Sequence, residues 1–327
     1  MGTPLVSVLL TTYNHARFAE EALDSLAAQT FRDFEVVATD DFSTDESVDV
    51  VRSWIDAHDV PVSLVANKRN IGICAVRNQA LARARGEVVC SLSGDDLFEP
   101  DRLARQSDAL VSADADVAVV YSDVRTCEED GHVRDDSYLD LLLHGDRPEG
   151  FVFTELQRRC FIAAPGVMVR RASIEAVGGY DESLLFEDWD MWLRLADKFR
   201  FSYLPGVVAT HRLTRSGLSR RYGSEEWWRS VITIHRRWLS RDPEAARRSA
   251  LWIRRAAVGL SQYDRRSALE AFDSVADVPT LDEDRIPWGL VRRALAVPGA
   301  GTGVGFMLDA RRRTGSRREW SRWRDAD

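Results

Sequence analysis

Residues 5–14 read LVSVLLTTYN, and residues 34–45 read FEVVATDDFSTD. In each stretch a nearly continuous apolar run is followed at once by hydroxyl, amide or acidic residues. Apolar runs of this kind predict strands that are covered on both faces of a parallel sheet. A helical pattern follows each strand, and this alternation predicts an α/β protein with helices on both faces of the sheet.

The same alternation continues through the first 125 residues. Strands are predicted at 5–11, 34–39, 62–66, 87–92 and 117–121. Ser43 and Glu46 have the spacing of a capping box, which predicts that a helix begins at Ser43. Pro100 and Asp101 predict the start of another helix, because proline suits the first helical turn.

The later sequence divides into two further regions. The pattern loosens from about 126 to 165, and the acidic and polar residues that dominate up to Gly150 predict a long loop or excursion. The pattern then predicts a strand at 167–170, helices at 173–177 and 188–198, and strands near 201–204 and 207–210. Beyond about 223 the sequence is helical in pattern and rich in Trp and Arg. We therefore predict three regions, at 1–125, 126–222 and 223–327.

Composition excludes several classes of protein. Apolar residues make up 45% of the 327 residues and charged residues 29%, as in folded globular proteins. The net charge of -8 disfavours sequence-independent binding of nucleic acid. Four cysteines without C-x-x-C spacing indicate neither a disulfide framework nor a zinc motif, and they favour the cytoplasm. No signal-peptide pattern and no apolar run of membrane-spanning length is present.

Polar residues follow three predicted strands, at the edge where open parallel sheets bind ligands. They are Thr11-Thr12-Tyr13-Asn14, Asp40-Asp41-Phe42-Ser43 and Ser93-Gly94-Asp95-Asp96. Four carboxylates at one edge repel one another unless a cation binds or they are separated. Asp95 and Asp96 suit Mg²⁺ or Mn²⁺, which phosphate oxygens and water also coordinate. The alternative is that Asp96 only begins a turn before the next helix.

Eight segments, in this order, resemble a family 2 glycosyltransferase with the GT-A fold. They are VSVLLTTYN (6–14), AQTF (28–31), FEVVATDDFSTD (34–45), NIG (70–72), AVRN (75–78), SGDD (93–96), GGYD (178–181) and FEDWDMWLR (186–194). The resemblance implies a Rossmann-like, mostly parallel sheet with a C-terminal helical region. Region 1–125 is then the nucleotide-sugar-binding half, 126–222 the acceptor-binding half with the catalytic base, and 223–327 an extension.

The resemblance also implies a role for individual residues. Those expected to bind the nucleotide-sugar are Thr11, Tyr13, Asp41, Arg77 and Asp95. Asp96 and His211 are expected to hold the metal, Mn²⁺ or Mg²⁺. Asp188 matches the catalytic base, and Glu187, Trp189 and Trp192 are expected to bind the acceptor. Phe42 departs from the family pattern, which has glycine at that position.

The implied reaction is an inverting, metal-assisted transfer by a hexosyltransferase. The sugar moves from a nucleotide-α-sugar, with UDP favoured, to a hydroxyl of a glycan, lipid-linked, peptide or small-molecule acceptor. The alternative is a non-catalytic module of the same fold that binds a nucleotide or glycan. A nicotinamide dehydrogenase is excluded because no G-x-G-x-x-G follows the first strand, and the Gly-rich basic loop of a nucleotidyltransferase is also absent.

The C-terminal segment is strongly basic. Ten arginines lie between 285 and 324, against Asp309 and Glu319. The simplest interpretation is a solvated surface helix. Peripheral contact with a membrane, or a homodimer formed through the C-terminal helices, are the alternatives.

Overall fold

A computed structural model describes residues 2–134, 137–143, 145–215, 217–281 and 286–297. The strands are β1 (Val6–Thr12), β2 (Phe34–Asp40), β3 (Val62–Ala66), β4 (Val88–Ser93), β5 (Leu97–Phe98), β6 (Val117–Glu128), β7 (Val167–Arg170) and β8 (Arg200–Leu213). The helices of the sheet region are α1 (Ala19–Ala27), α2 (Ser47–Ala57), α3 (Ile73–Arg83), α4 (Arg102–Ser112), α5 (Tyr138–Leu142), α6 (Phe153–Arg158), α7 (Arg171–Ala176) and α8 (Asp188–Ala196). Those after it are α9 (Glu225–Arg236), α10 (Pro243–Leu260), α11 (Arg265–Asp273) and α12 (Trp288–Ala296).

The strands form one mixed sheet in the order β3-β2-β1-β4-β7-β6-β8-β5. β7 is antiparallel to both of its neighbours, and β5 is antiparallel to β8, whereas the other pairs are parallel. The predicted strand–helix alternation is confirmed. The two strands predicted near 201–204 and 207–210 are a single strand, β8.

The two faces of the sheet carry different helices. β1 and β2 are buried along their whole length. Val6, Val8 and Leu10 of β1 share one apolar cluster with residues of α1, α2 and α4. α3 packs on β1 and β2 outside that cluster, which places it on the opposite face. Because alternate residues of a strand face opposite sides, a strand covered on both sides has to be apolar throughout.

The predicted capping box is wrong. α2 begins at Ser47, with Glu46 rather than Ser43 at its N-cap. The Ser43 hydroxyl instead donates to Oδ2 of Asp40 at 2.5 Å and accepts the N–H of Asn14 at 2.8 Å. Side chains with a hydroxyl compete for turns as well as caps, and here a carboxylate at the end of β2 binds the serine.

Residues 126–165 contain more regular structure than predicted. β6 runs through to Glu128, so the boundary predicted between 125 and 126 falls within a strand. α5 lies where a long loop or excursion was predicted, and α6 follows beyond Gly150. The predicted division into nucleotide-binding and acceptor-binding halves stays a prediction.

The contacts divide the chain into two compact units, Met1–Gly217 and Leu218–Asp327. The first holds the sheet with α1–α8, and the second is helical where it is described. None of the described helices is long and apolar enough to cross a membrane. The arginines predicted to form a basic surface helix lie mostly beyond 297, outside the described residues.

Candidate active site

Backbone hydrogen bonds bring three strand-end loops together. The carbonyl of Thr12 accepts the N–H of Asp41 at 2.9 Å, and that of Thr11 accepts the N–H of Gly94 at 2.8 Å. These bonds continue the sheet ladder just beyond the ends of β2 and β4. The acidic pair that follows Gly94 therefore begins beside β1, as the predicted topology required.

Asp95 and Asp96 are both buried, 6% and 2% exposed. Oδ1 of Asp96 accepts the N–H of Arg212 at 2.9 Å and lies 2.8 Å from Nδ1 of His211. Oδ2 of Asp95 lies 3.7 Å from Nε2 of His15. Burial and the charge of Asp96 raise the pKa of Asp95, although the two histidines oppose this shift. The charged form of Asp95 is thus disfavoured beside the carboxylate of Asp96.

His211 contacts the acidic pair, and its charge also acts on the predicted base. It lies on β8, in register with Thr126 of β6, and its side chain is 29% exposed. Burial disfavours the imidazolium, but the carboxylates of Asp96, Asp95 and Asp188 outweigh it and raise the pKa of His211 to about 9. The ring therefore favours its cationic form at neutral pH in this arrangement, and its charge acts on all three carboxylates.

Asp188 begins α8. Its Oδ1 accepts the N–H of Trp189 at 2.6 Å. Burial, followed by the charge of Glu187, raises the pKa of Asp188 to about 7, while that N–H and His211 act in the opposite direction. A carboxylate with a pKa near the ambient pH is matched to accepting a proton and releasing it again.

The predicted nucleoside-binding residues differ in what remains available to a ligand. Tyr13 is 45% exposed. The hydroxyl oxygen of Thr11 is buried and has no hydrogen-bond partner among the described residues. Asp41 is already engaged, because its carboxylate accepts the N–H groups of Ile71 at 2.8 Å and Gly72 at 2.9 Å. Asp41 therefore also holds the loop between β3 and α3 in place.

Phe42 occupies the position where the family pattern has glycine. Its φ is +69°, in the left-handed region that glycine adopts readily. The backbone at this turn thus has a glycine-like conformation, although a bulky residue carries it. The ring is 46% exposed, so the substitution changes the surface of the donor side rather than the course of the chain.

Arg77, which the resemblance places among the nucleotide-sugar-binding residues, is buried rather than exposed at the sheet edge, and its role toward the nucleotide stays a prediction. It is 3% exposed, and its Nη1 donates to the carbonyl of Leu9 at 3.0 Å. Its Nη2 lies 3.8 Å from Oε1 of Glu187. Arg77 is buried because it lies on α3, which packs against β1. Glu187, predicted to bind acceptor, is the partner of this arginine.

Trp189 and Trp192, which the resemblance places among the acceptor-binding residues, lie in the core, and their role toward the acceptor stays a prediction. Both are 5% exposed. The indole of Trp189 donates to the carbonyl of Leu156 at 2.8 Å, and that of Trp192 to Ile162 at 3.2 Å. A ring that stacks on a sugar needs a free face, whereas these rings fill the core behind α8 with their N–H groups satisfied.

One residue of the site, His15, was missed. His15 faces Asp95, with Nε2 3.7 Å from Oδ2 of that carboxylate. Arg212 lies on the same acidic pair, because its Nε donates to the carbonyl of Asp95 at 3.1 Å, and its guanidinium also pairs with Glu21 at 2.7 Å. The available signal for His15 was its position, since it closely follows the end of β1.

The described residues include no cluster of three or more side chains suited to hold a metal. Asp96 and His211 form a smaller donor set, 2.8 Å apart. Oδ2 of Asp96 accepts no hydrogen bond from the described residues. Mg²⁺ commonly takes one or two protein ligands and completes its shell with phosphate and water, so this pair fits such an ion.

Sequence comparison places the site in a known family. Residues 7–178 match the family described as glycosyl transferase family 2. The chain belongs to this family. An uncharacterized glycosyltransferase of Methanocaldococcus jannaschii is 27% identical over 220 residues, which cover 65% of this chain and 72% of that protein. TuaG of Bacillus subtilis, a putative teichuronic acid biosynthesis glycosyltransferase, is 26% identical over 225 residues, covering 68% and 83%.

Solved structures show the fold of this family 2 glycosyltransferase. S. aureus TarS 1-349 in complex with UDP has a TM-score of 0.65 at 21% identity, covering 93% of this chain and 91% of that one. A mannosyltransferase from Pyrobaculum calidifontis, in complex with GDP-Man and Mn²⁺, has a TM-score of 0.60 at 23% identity, covering 98% and 85%. The predicted GT-A class with a helical C-terminal region is confirmed.

Proposed function

We propose that this glycosyltransferase moves a sugar from a nucleotide-α-sugar to an acceptor hydroxyl with inversion, in a single displacement. One observation carries the proposal. His211 is hydrogen-bonded to the acidic pair at Asp96, and its charge also acts on Asp188. A group suited to hold a diphosphate-bound cation and a group suited to accept a proton therefore both interact with one imidazole, the first by a hydrogen bond and the second through its charge.

Asp188 is the proposed general base. The attacking acceptor hydroxyl must lose a proton as its oxygen bonds to the sugar C1 and the bond to the nucleoside diphosphate breaks. A carboxylate with its pKa raised to about 7 accepts that proton more readily than an ordinary, more acidic one. The backbone N–H of Trp189 keeps one oxygen occupied, which leaves the other for the acceptor.

Asp96 and His211 are the proposed ligands of Mn²⁺ or Mg²⁺. Such a cation supplies positive charge against the departing diphosphate. His211 must lose a proton before a ring nitrogen can coordinate the metal. The proton and the metal therefore compete for the ring, and the raised pKa of His211 favours the proton. Asp95 remains beside this pair for the ribose.

The donor is proposed to be a UDP-sugar, bound at Thr11, Tyr13, Asp41 and Asp95. The exposed Tyr13 ring is suited to stack on a base, and the free hydroxyl of Thr11 to hydrogen-bond to it. The TarS complex with UDP supports a uridine nucleotide, and the GDP-Man complex of the mannosyltransferase supplies the alternative to be separated.

The test replaces Asp188 with Asn. Transfer should fall about 100- to 10,000-fold, the usual contribution of a general base. Affinity for the nucleoside diphosphate should change by less than about twofold, because Asp188 is not among the residues proposed to bind the nucleotide. UDP-glucose, UDP-N-acetylglucosamine and GDP-mannose serve as donors, with nucleoside diphosphate release as the readout.

Asp197→Asn is the matched control, since Asp197 is at the opposite end of α8. It should retain wild-type transfer. A wild-type rate in Asp188→Asn would contradict the assignment of the base. Nucleotide binding by a wild-type protein that never turns a donor over would support the non-catalytic module instead.

A further inference from the structure

One face of α3 holds the chain that leads to Asp188. Nδ2 of Asn78 donates to the carbonyl of Tyr180 at 2.9 Å, and its Oδ1 accepts the N–H of Tyr180 at 2.8 Å. The thiol of Cys74, one turn earlier, donates to the carbonyl of Leu184 at 3.5 Å. Residues four apart lie on the same face of a helix. The segment before α8 is thus bound to a helix that itself packs on β1.

Arg77 adds a charge to this face. It is 3% exposed, and it connects the carbonyl of Leu9 in β1 with the carboxylate of Glu187. The Glu187 side chain is only 13% exposed, so solvent screens the pair weakly. Because leaving either charge buried and unpaired would cost free energy of folding, the ion pair is favoured over the separated charges.

Glu187 and Asp188 are adjacent carboxylates in the same enclosed place. Among the described residues, the titratable groups that act on Asp188 or on Glu187 from the surrounding elements include Arg77, His211, Cys160, Tyr138, Cys74 and Tyr180. Among these, His211 is the cation on the donor side. Arg77 is the cation that pairs with Glu187. The two carboxylates therefore each interact with a different cation, Asp188 with His211 and Glu187 with Arg77.

We propose that Arg77 is a positioning residue for Asp188: its ion pair with Glu187 ties the first turn of α8 to β1 and balances the second carboxylate beside the base. This rests on the proposed function of Asp188. Arg77 then acts through Glu187 and makes no contact with the nucleotide. Glu187 serves the same positioning role from the other side of the pair.

The proposal predicts opposite effects for the two partners. Arg77→Gln leaves the charge of Glu187 unbalanced, so the proton on Asp188 should be held more tightly. Glu187→Gln removes that charge, so the proton should be held less tightly. The double variant Arg77→Gln/Glu187→Gln should resemble Glu187→Gln, because Arg77 acts only through the glutamate. Opposite-charge effects at this range are about 1 to 3 pH units.

The pH dependence of stability measures this without any substrate. A raised native pKa makes wild-type stability fall as pH rises from the unfolded toward the native pKa of Asp188. The free energy of unfolding of each Asp188→Asn variant, minus that of the matching protein with Asp188, therefore grows with pH. This difference levels off above the native pKa of Asp188. We expect that plateau to begin at higher pH with Arg77→Gln and at lower pH with Glu187→Gln and the double variant.

Two functional readouts accompany it. Arg77→Gln should slow transfer about tenfold or more, because a displaced base loses alignment. Its affinity for UDP with Mn²⁺ should stay within about twofold of wild type. Arg83→Gln, on the same helix but bonded to Thr39 and the carbonyl of Ala38, is the control and should leave the plateau where it is.

Identical plateaus in all backgrounds would overturn the proposal, as would weakened UDP binding in Arg77→Gln at an unchanged transfer rate. Should Arg77→Gln not fold, Glu187→Gln alone decides, since an unshifted plateau there excludes the pair. Failure of the proposed function looks different: Asp188→Asn then retains transfer whatever the plateaus do.

Discussion

The loops after β1, β2 and β4, here called the proposed donor edge, are fixed in place by one kind of contact, and the start of α8 is fixed by another. At the donor edge, backbone N–H groups of Asp41 and Gly94 bond to carbonyls of β1, so the loops extend the sheet. At α8, the side chains of Arg77 and Asn78 reach a segment about 100 residues later in the chain, as in the Asn78–Tyr180 pair with a separation of 102.

This difference bears on how each region responds to change. A strand-end loop is fixed by main-chain bonds that survive most substitutions. The position of the proposed base, Asp188, depends on a few buried side chains. Its geometry and charge can therefore be altered by single substitutions. We therefore expect substitutions near α8 to change rate more than binding, and substitutions at the strand ends to change binding first.

The largest expected effect is that of pH on transfer. Because Asp188 must be deprotonated to act and its pKa is raised from 3.8 to about 7, kcat/KM should rise as pH rises and level off above about 7. The rise below that point should be about tenfold per unit. A profile that is flat between about pH 5 and 8 would contradict the role of Asp188 as base.

Asp96→Asn should come next. Loss of this ligand should weaken Mn²⁺-dependent nucleotide binding at least as much as loss of an outer partner does, about 10- to 100-fold. Calorimetric titration of UDP with and without Mn²⁺ measures the effect. Asp101→Asn, at the N-cap of α4, is the control and should bind normally. Unchanged metal dependence in Asp96→Asn would count against the metal site.

Trp192→Phe separates a core residue from an acceptor platform. It leaves the carbonyl of Ile162 without its 3.2 Å partner, so the free energy of unfolding should fall by about 1 to 3 kcal/mol. Acceptor KM should stay unchanged. Tyr13→Phe, with an exposed ring, should alter stability by no more than about 0.5 kcal/mol. A raised acceptor KM at unchanged stability would instead support a role for Trp192 in binding the acceptor.

Phe42→Gly should have the smallest effect. Relief of a left-handed φ at a non-glycine residue gains about 1 kcal/mol, and the added freedom of glycine in the unfolded chain costs about 0.5 to 1 kcal/mol. The two nearly cancel, so urea unfolding should barely change. Phe151→Gly is the matched control: its ring is also exposed, but its φ is not positive, so it should lose stability. Equal losses in both would contradict the strain at Phe42.

The sequence predicted what local pattern controls. Continuous apolar runs marked β1 and β2 because both faces of those strands are covered. The acidic residues that follow β2 and β4 were placed at one edge by topology alone, and the structure brings their loops together.

The errors came from contacts that local pattern does not report. Ser43 had the spacing of a cap, but the carboxylate of Asp40 binds it. Trp189 and Trp192 lie beside the base in sequence, yet their rings turn to carbonyls some 30 residues earlier. Arg77 is buried against Glu187, a partner that its own neighbours in sequence do not indicate. Each depends on which distant group arrives, so it follows only from the packed structure.

The most direct test of the account is a thermal-shift panel of UDP, GDP, dTDP and CDP, each with and without Mn²⁺. A ligand at a hundred times its Kd stabilises the folded state by about 2.7 kcal/mol, enough to raise Tm by a few degrees. The account predicts a shift for a single nucleotide, UDP, that requires Mn²⁺. No shift with any nucleotide, in a sample shown to be folded, would contradict the proposed donor site.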